Sequence, residues 1–262
     1  MTAPVFILSP DTLEPTGAAA AAGPGDALVL TGPEARHAVA VRRLRAGERV
    51  DLVDGAGLRL VCEVTGPGEG GAKDRLAVRV LERVEEAAPP VRLALVQALA
   101  KGGRDEQAVE TATEVGVDLV VPWQAERSIS VWSGPKVAKG RVRWEATARE
   151  AAKQARRARV PEVAEPLGTA GLAAWAREVR ADGGVVLVLH EEATAPISGV
   201  ELPSAGVVGV VVGPEGGISA EEVSALEEAG AVTVRLGPHV MRTASAGPVA
   251  LAILAQRAGL WS

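Results

Sequence analysis

Aromatic side chains are nearly missing from this 262-residue chain, which has five Trp, one Phe and no Tyr. Its core must therefore be built from Ala, Val and Leu, and an apolar content of 47% supplies enough of them. Cysteine occurs once, as Cys62, which excludes an intrachain disulfide and any cysteine-based metal cluster and fits a reducing compartment. The three histidines, His37, His190 and His239, are too scattered to read as a metal site, so no metal is expected. No apolar run is long enough to span a bilayer. The amino terminus carries no basic-then-apolar signal pattern. A cytoplasmic protein is expected. Positive charge is not in excess either. A formal net charge of −5 argues against nucleic-acid binding by the surface as a whole, though not by a local basic face. No Ser/His/Asp set and no pair of acids stands out, so the chemistry is expected to need neither a metal nor a covalent intermediate.

What the chain does have is concentrated between Val207 and Ala246. The run Val207 to Val212 is apolar without alternation and rich in β-branched residues, which predicts a buried strand. It stops at Gly213-Pro214-Glu215-Gly216-Gly217. Ser219 then precedes Glu222 by three residues, the spacing of a capping box that opens a helix. Two more apolar runs end in the same manner, Val232 to Leu236 at Gly237-Pro238 and Val185 to Leu189 at His190-Glu191-Glu192. In an open α/β sheet ligands bind outside the carboxyl ends of the strands. The three strand-end loops are therefore expected to converge on one pocket.

Residues 1–84 read as a small β-rich domain, a barrel of short strands. Val5 to Leu8, Arg49 to Val53, Arg59 to Thr65 and Leu76 to Val84 are β-patterned, and Asp54-Gly55 signals a hairpin. Pro33 to Arg43 predicts a short helix, and Asp11 to Asp26 a loose surface loop. Gly66-Pro67-Gly68-Glu69-Gly70-Gly71 matches G-x-G-x-x-G in form only. A strand follows it, not the helix that a pyrophosphate requires. Glu85 to Pro90 is an acidic linker stiffened by Pro89-Pro90. Residues 90–262 then alternate strand and helix, which predicts a mainly parallel sheet. Its expected elements include a strand from Val117 stopped by Pro122, a long helix from Pro135 to Arg159 and a last helix from Ala246 to Ala258.

Glycines in the 213–217 loop let backbone N–H groups approach a ligand closely. No Lys-Ser/Thr follows them, so this is not a P-loop. Glu215 would repel a phosphate there and suits hydroxyls or a cationic ligand, such as a nucleoside with a positive centre. Otherwise it is a solvated residue in a tight turn. Arg242, in the loop before the last helix, is the candidate to stabilise a developing anion; a surface ion pair is its default reading. The long helix carries Arg141, Arg143, Arg149, Lys153, Arg156, Arg157 and Arg159. A solvated face is the ordinary explanation for these, and contact with a phosphate backbone is the functional one. Arg36, Arg42, Arg43 and Arg45 form a second basic cluster.

With GPEGGIS-x-x-E followed by LGPHVMRTASA, the chain resembles the RsmE-type ribosomal RNA methyltransferases of the SPOUT superfamily. The stretch from Arg36-His37 to Gly47, Lys101, Glu106, the turn at Glu114-Val115-Gly116, Arg127 and Ala151-Ala152-Lys153-Gln154 add to the resemblance. It implies a PUA-like β-barrel RNA-binding domain (1–84) joined to a SPOUT α/β domain (90–262) with a carboxyl-terminal trefoil knot. It also implies a homodimer that uses S-adenosyl-L-methionine to methylate N3 of one uridine in the decoding region of 16S rRNA in the small ribosomal subunit. On this resemblance the cofactor is expected at Leu189, His190, Glu191, Gly213, Pro214, Glu215, Gly216, Gly217, Leu236, Gly237, Val240, Met241, Arg242 and Ala246. Arg242 is expected to be catalytic. RNA is expected at Arg36, Arg43, Arg127, Lys153, Arg156 and Arg157. The chain departs from the family pattern at Ala244, where a Glu is usual, and at His239, where Arg is frequent. A non-catalytic or differently targeted RNA-binding protein of the same fold is the competing reading.

Overall fold

Alternation of apolar and polar residues rules the first part of the chain, and it folds as strands. The structure is a computed structural model that describes residues 3–9, 11–67 and 72–261. By packing, the chain divides into one unit of Met1–Ala88 with Ala152–Val160 and a second of Pro89–Ala151 with Pro161–Ser262. Among the described residues the first unit holds β1 (Val5–Ile7), β2 (Leu13–Glu14), β3 (Ala27–Thr31), α1 (Gly32–Arg36), β4 (Arg49–Val53), β5 (Leu58–Pro67) and β6 (Arg75–Glu85). The six strands form one sheet in the order β1-β4-β5-β6-β3-β2, antiparallel except for β1 beside β4. Leu30, Leu52, Leu60 and Leu76 point inward and are fully buried. Asp54 fixes the β4–β5 turn, since its Oδ1 accepts the N–H groups of Ala56 at 2.7 Å and Leu58 at 3.0 Å. Residues 68–71 of the G-x-G-x-x-G stretch lie outside the described residues.

Three expectations for this unit are corrected. The stretch from Asp11 to Asp26 is no loose loop. Leu13 is buried and pairs with Leu30 across β2 and β3, which anchors the segment on the core. The helix at Pro33 leaves α-geometry at Arg36 and continues as a π-turn over His37–Val41. The long helix ends early: α3 spans Pro135–Gln154. Arg156 takes a left-handed φ of 57°, and the Arg157 N–H returns to the Ala152 carbonyl at 2.9 Å, which closes the helix. Beyond that turn Ala158 is buried with Val5, Ile7 and Val53, and the Val160 N–H donates to Gly55 O at 2.9 Å. Residues 152–160 therefore belong to the first unit by packing, though they lie in the second half of the sequence.

The second unit holds β7 (Val91–Ala98), α2 (Arg104–Val115), β8 (Leu119–Gln124), most of α3, β9 (Glu162–Val163), β10 (Leu167–Gly168), α4 (Thr169–Ala181), β11 (Val185–Leu189), β12 (Gly206–Val212), α5 (Ala220–Glu228), β13 (Val232–Val234) and α6 (Thr243–Arg257). The strands make a seven-stranded sheet, β10-β8-β7-β12-β11-β13 with β9 beside β8, and every pairing is parallel. Helices cover both faces. Val208 and Val210 pack with the α2 and α6 residues Val109, Leu251 and Leu254, while Val211 packs with Leu172, Ala176 and Leu226 of α4 and α5. Burial on both sides explains why β12 shows no alternation. Gly247 lets α6 lie close on β7, because a Cβ there would stand 2.6 Å from Leu95 Cδ1. Pro122 does not stop β8. It sits inside the strand, between Leu119–Val120, which pair with β9, and Trp123–Gln124, which pair with β10. In that gap no neighbouring carbonyl requires its missing N–H. No helix of the described residues is long and apolar enough to cross a membrane.

Candidate functional site

Parallel pairing of β11 with β12 and β13 sends their three carboxyl ends to the same edge of the sheet. The loops that follow, joined by the first turn of α6, line one cleft of about 1100 Å³. Leu189, His190 and Glu191 come from the β11 end, and Gly213 to Gly217 from the β12 end. Leu236, Gly237, Val240, Met241 and Arg242 follow β13, and Ala246 lies on α6. Arg104, after β7, and Arg127, after β8, complete the wall. Arg36, Arg43, Lys153, Arg156 and Arg157 lie elsewhere, all in the first unit.

The glycine loop is held from three directions. Beneath it, the Thr243 hydroxyl donates to the Gly213 carbonyl at 2.8 Å and accepts from Gln97 Nε2 at 2.8 Å. Gln97 is fully buried at the end of β7. On one side, the Arg127 guanidinium donates to Gly216 O at 3.3 Å, and a Cβ on Gly216 would stand 3.1 Å from Arg127 Cβ. In front, Glu215 Oε1 accepts from Arg104 at 2.8 Å and from the Lys101 N–H at 3.4 Å. Gly217, with φ 76°, closes the turn by donating to Pro214 O at 2.9 Å. Glycine at 213 and 216 thus answers contacts within the protein: a Cβ on Gly213 would lie 2.6 Å from Ile218 Cγ1.

Glu215 is engaged where a free carboxylate was expected. Burial is the largest single influence on it and raises its pKa. Hydrogen bonds from its own N–H, Arg104 and Lys101 together outweigh burial, so the carboxyl titrates below its ordinary range. Arg242 is the amino-terminal cap residue of α6, which begins at Thr243 instead of at Ala246. Its side chain is exposed and makes no ion pair among the described residues. His190 is half-buried and its Nδ1 accepts from the Glu192 N–H at 3.3 Å. His239 is exposed in the loop. Ala244 is 6% exposed and off the cleft wall, whereas Thr243 and Ala246 are on it.

The capping box is present, with the Ser219 hydroxyl accepting from the Glu222 N–H and Glu222 accepting from the Ser219 N–H. The sequence gives no sign of Glu222's other bonds, to the Glu126 N–H and the Thr169 hydroxyl. Arg104 and Gln97 also went unseen as parts of the site. The one available signal was their place at the end of a fourth parallel strand, β7. Asp105, beside Arg104, is 2% exposed. Burial raises its pKa, against hydrogen bonds from Ala100, Glu106 and its own N–H and the charge of Arg143.

The basic helix is less free than its composition suggests. Arg143 pairs with Glu106 at 2.8 Å, and Arg141 with Glu145 at 3.2 Å and Glu165 at 2.8 Å. Lys153, expected on RNA, has a side chain only 9% exposed and pairs with Glu34 at 3.1 Å, so its ammonium is not presented to a phosphate. Arg159 donates to the Glu86 carbonyl. Arg36, Arg42, Arg43, Arg45 and Arg156 are exposed, and Arg157 is half-buried.

Comparison with known proteins agrees with this architecture. Residues 87–255 match the model of the RNA methyltransferase domain and residues 30–73 that of the RNA methyltransferase PUA domain. The ribosomal RNA small subunit methyltransferase E of Mycobacterium bovis is 47% identical over 253 residues, covering 96% of this chain and 91% of that protein. The protein of the same name from Bacillus subtilis is 30% identical, covering 88% of this chain and 90% of its own length. Two similar structures are a ribosomal RNA small subunit methyltransferase E from Neisseria gonorrhoeae bound to S-adenosyl methionine and a methyltransferase from Legionella pneumophila in complex with the same cofactor. The first has a TM-score of 0.81 and the second 0.77, each at 25% identity over 98% of both chains.

Proposed function

The chain belongs to the ribosomal RNA small subunit methyltransferase E family, and on that premise we propose that it methylates N3 of one uridine in the decoding region of 16S rRNA, with S-adenosylmethionine as donor. The observation that carries this reading is the convergence of the β11, β12 and β13 loops on one cleft with an exposed arginine at the head of α6. The cleft suits the donor. Small-molecule sites span roughly 300–1,000 Å³, so about 1100 Å³ leaves room for a nucleoside and a target base. Leu189, Leu236, Ile218 and Ala246 offer apolar contact for an adenine ring, and the glycine loop brings backbone groups close. Glu191 and Glu192, exposed on the same wall, suit a cationic ligand.

When bound, the donor supplies a methyl group on a positively charged sulfur that departs as a neutral thioether. The protein's share is then mainly positioning. When the N3 proton leaves to water, negative charge spreads over the uracil carbonyl oxygens; Arg242 is assigned to stabilise that anion until N3 takes the methyl group and the charge is discharged. Glu215 is committed to Arg104 and Lys101 and is not the proton acceptor in this scheme. For RNA contact we retain Arg127, Arg36, Arg43, Arg156 and Arg157 and drop Lys153. The trefoil knot and the homodimer remain part of the proposal. Val240, Met241 and Val249, which are 77%, 38% and 38% exposed about the head of α6, support a second copy covering that region.

Mass spectrometry of small-subunit RNA from a strain lacking the gene tests the reading. Loss of N3-methyluridine supports it, and persistence overturns it. With purified components, Arg242→Ala is expected to cut turnover on the order of 10²-fold with a much smaller change in donor affinity. Equal loss of both refutes the role given to Arg242.

A further inference from the structure

A capping glutamate needs only to return a bond to its own N-cap residue. Glu222 does that through Oε2, which accepts the Ser219 N–H at 3.1 Å. Its other oxygen faces away from the cap. Oε1 accepts the Glu126 N–H at 2.9 Å and the Thr169 hydroxyl at 2.7 Å. The residue is 4% exposed, so three donors and the amino terminus of α5 offset the desolvation of its charge. Glu126 immediately precedes Arg127, which leans on Gly216 and forms part of the cleft wall. Gln124, the last residue of β8, reaches farther along the same loop, where its side-chain amide donates to Ser130 O at 3.2 Å and accepts the Trp132 N–H at 3.1 Å. Those bonds fix the far end of the loop. Glu222 fixes its near end through the Glu126 N–H.

We propose that Glu222 is a positioning residue for RNA engagement, acting through the backbone of Glu126 to hold Arg127 at the mouth of the cleft. The proposal rests on the RNA methyltransferase reading of the cleft and deepens it. The helix that follows the donor-binding glycine loop thereby also sets the site of an RNA-facing arginine, so both sides of the cleft share one anchor.

The test uses the full chain, isolated small ribosomal subunits, S-adenosylmethionine titrated by calorimetry, and equilibrium binding of the subunits measured apart from turnover. Arg127→Ala is expected to raise KM and the dissociation constant for subunits about tenfold, with kcat nearly unchanged and a smaller loss of donor affinity, about threefold, because the bond to Gly216 O goes with it. Glu222→Ala should do the same, and the double variant should lose no more than either single variant, since both act in one chain of contacts. Ser219→Ala removes the cap and leaves the Glu126 bond, so it lowers Tm without moving KM. Glu222→Gln keeps an oxygen for Glu126 and Thr169 and should recover most of the subunit affinity. Should Glu222→Ala fail to fold, Glu222→Asp decides the matter. Its carboxylate is one methylene too short to serve the cap and Glu126 together, and KM should rise severalfold. Additive losses, or a Glu222 effect confined to Tm, or an Arg127→Ala chain with unaltered subunit affinity, overturns the proposal. Failure of the methyltransferase reading is distinct: the wild-type chain would bind subunits and transfer no methyl group, and the binding series would still measure what Glu222 does.

Discussion

Thr243→Val exchanges a hydroxyl for a methyl of nearly the same shape at a position 7% exposed. The hydroxyl bridges Gln97 Nε2 and the Gly213 carbonyl, at 2.8 Å each. In its absence Gln97 Nε2 keeps the Ala98 carbonyl at 3.1 Å, while Gln97 Oε1 is already buried without a partner. Gly213 O loses the donor that ties it to α6. A typical hydrogen bond contributes about 1 kcal/mol net, and a buried group left unsatisfied costs about 1–3 kcal/mol. Gly213 is half-buried at the cleft edge, so water replaces part of its loss, and the sum comes to about 2 kcal/mol. Urea denaturation should show the midpoint fall with the slope unchanged. Donor affinity should fall as well, because the loop is no longer tied to the helix that carries Arg242. Thr243→Ser keeps the hydroxyl and deletes one methyl, at about 0.8 kcal/mol. If Val is as stable as wild type, or if Ser is worse than Val, the bridge is not what holds the loop.

Two further measurements follow from buried groups. Burial first, and the charge of Asp51 second, push the Cys62 thiol up to about 12, so the native chain should not react with a thiol reagent at pH 8 and should release one equivalent only in denaturant; prompt labelling of the native chain refutes this. Burial raises the pKa of Asp105 in the folded chain, so its contribution to stability is present below the ordinary carboxylate value and is lost as pH rises through the raised one. The stability of wild type relative to Asp105→Asn should therefore fall as pH rises above the ordinary carboxylate range in urea titrations, and a relative stability that rises instead contradicts the assignment.

The parallel strands of the second unit were legible because a strand covered on both faces must be apolar throughout, and Val207 to Val212 can hardly be anything else. The Ser219 and Glu222 box was legible because capping is a three-residue matter. What the sequence hid depends on partners far along the chain. Pro122 looks like a stop by the local rule of a missing N–H. Only the gap between β9 and β10 shows that nothing asks for that N–H. Nothing in Ala155-Arg156-Arg157-Ala158 signals that Arg156 turns left-handed and sends the chain back to the first unit. Arginines and lysines gave composition without partners. Lys153 looked ready for phosphate until Glu34, 119 residues away, claimed it. Glu215 looked free until Arg104, 111 residues away, did the same.

Those distant partners bear on how the cleft binds anything at all. The loop has three glycines, and each loses more conformational freedom on ordering than another residue would. Its own backbone provides the Gly217 to Pro214 turn and little else. The remaining order comes from Thr243, Arg127 and Arg104, each anchored to a different element. Binding to a loop already ordered avoids the entropy that a mobile loop would surrender. Arg104→Ala isolates this effect: it removes the ion pair at the front of the loop while leaving the loop's backbone groups in place. Because the Arg104–Glu215 pair is partly exposed and screened, the expected loss is modest, about threefold in donor affinity by calorimetry, and it should shrink further in high salt. Unchanged affinity at low salt would mean that the glycine turn orders itself and that the surrounding ties serve stability alone.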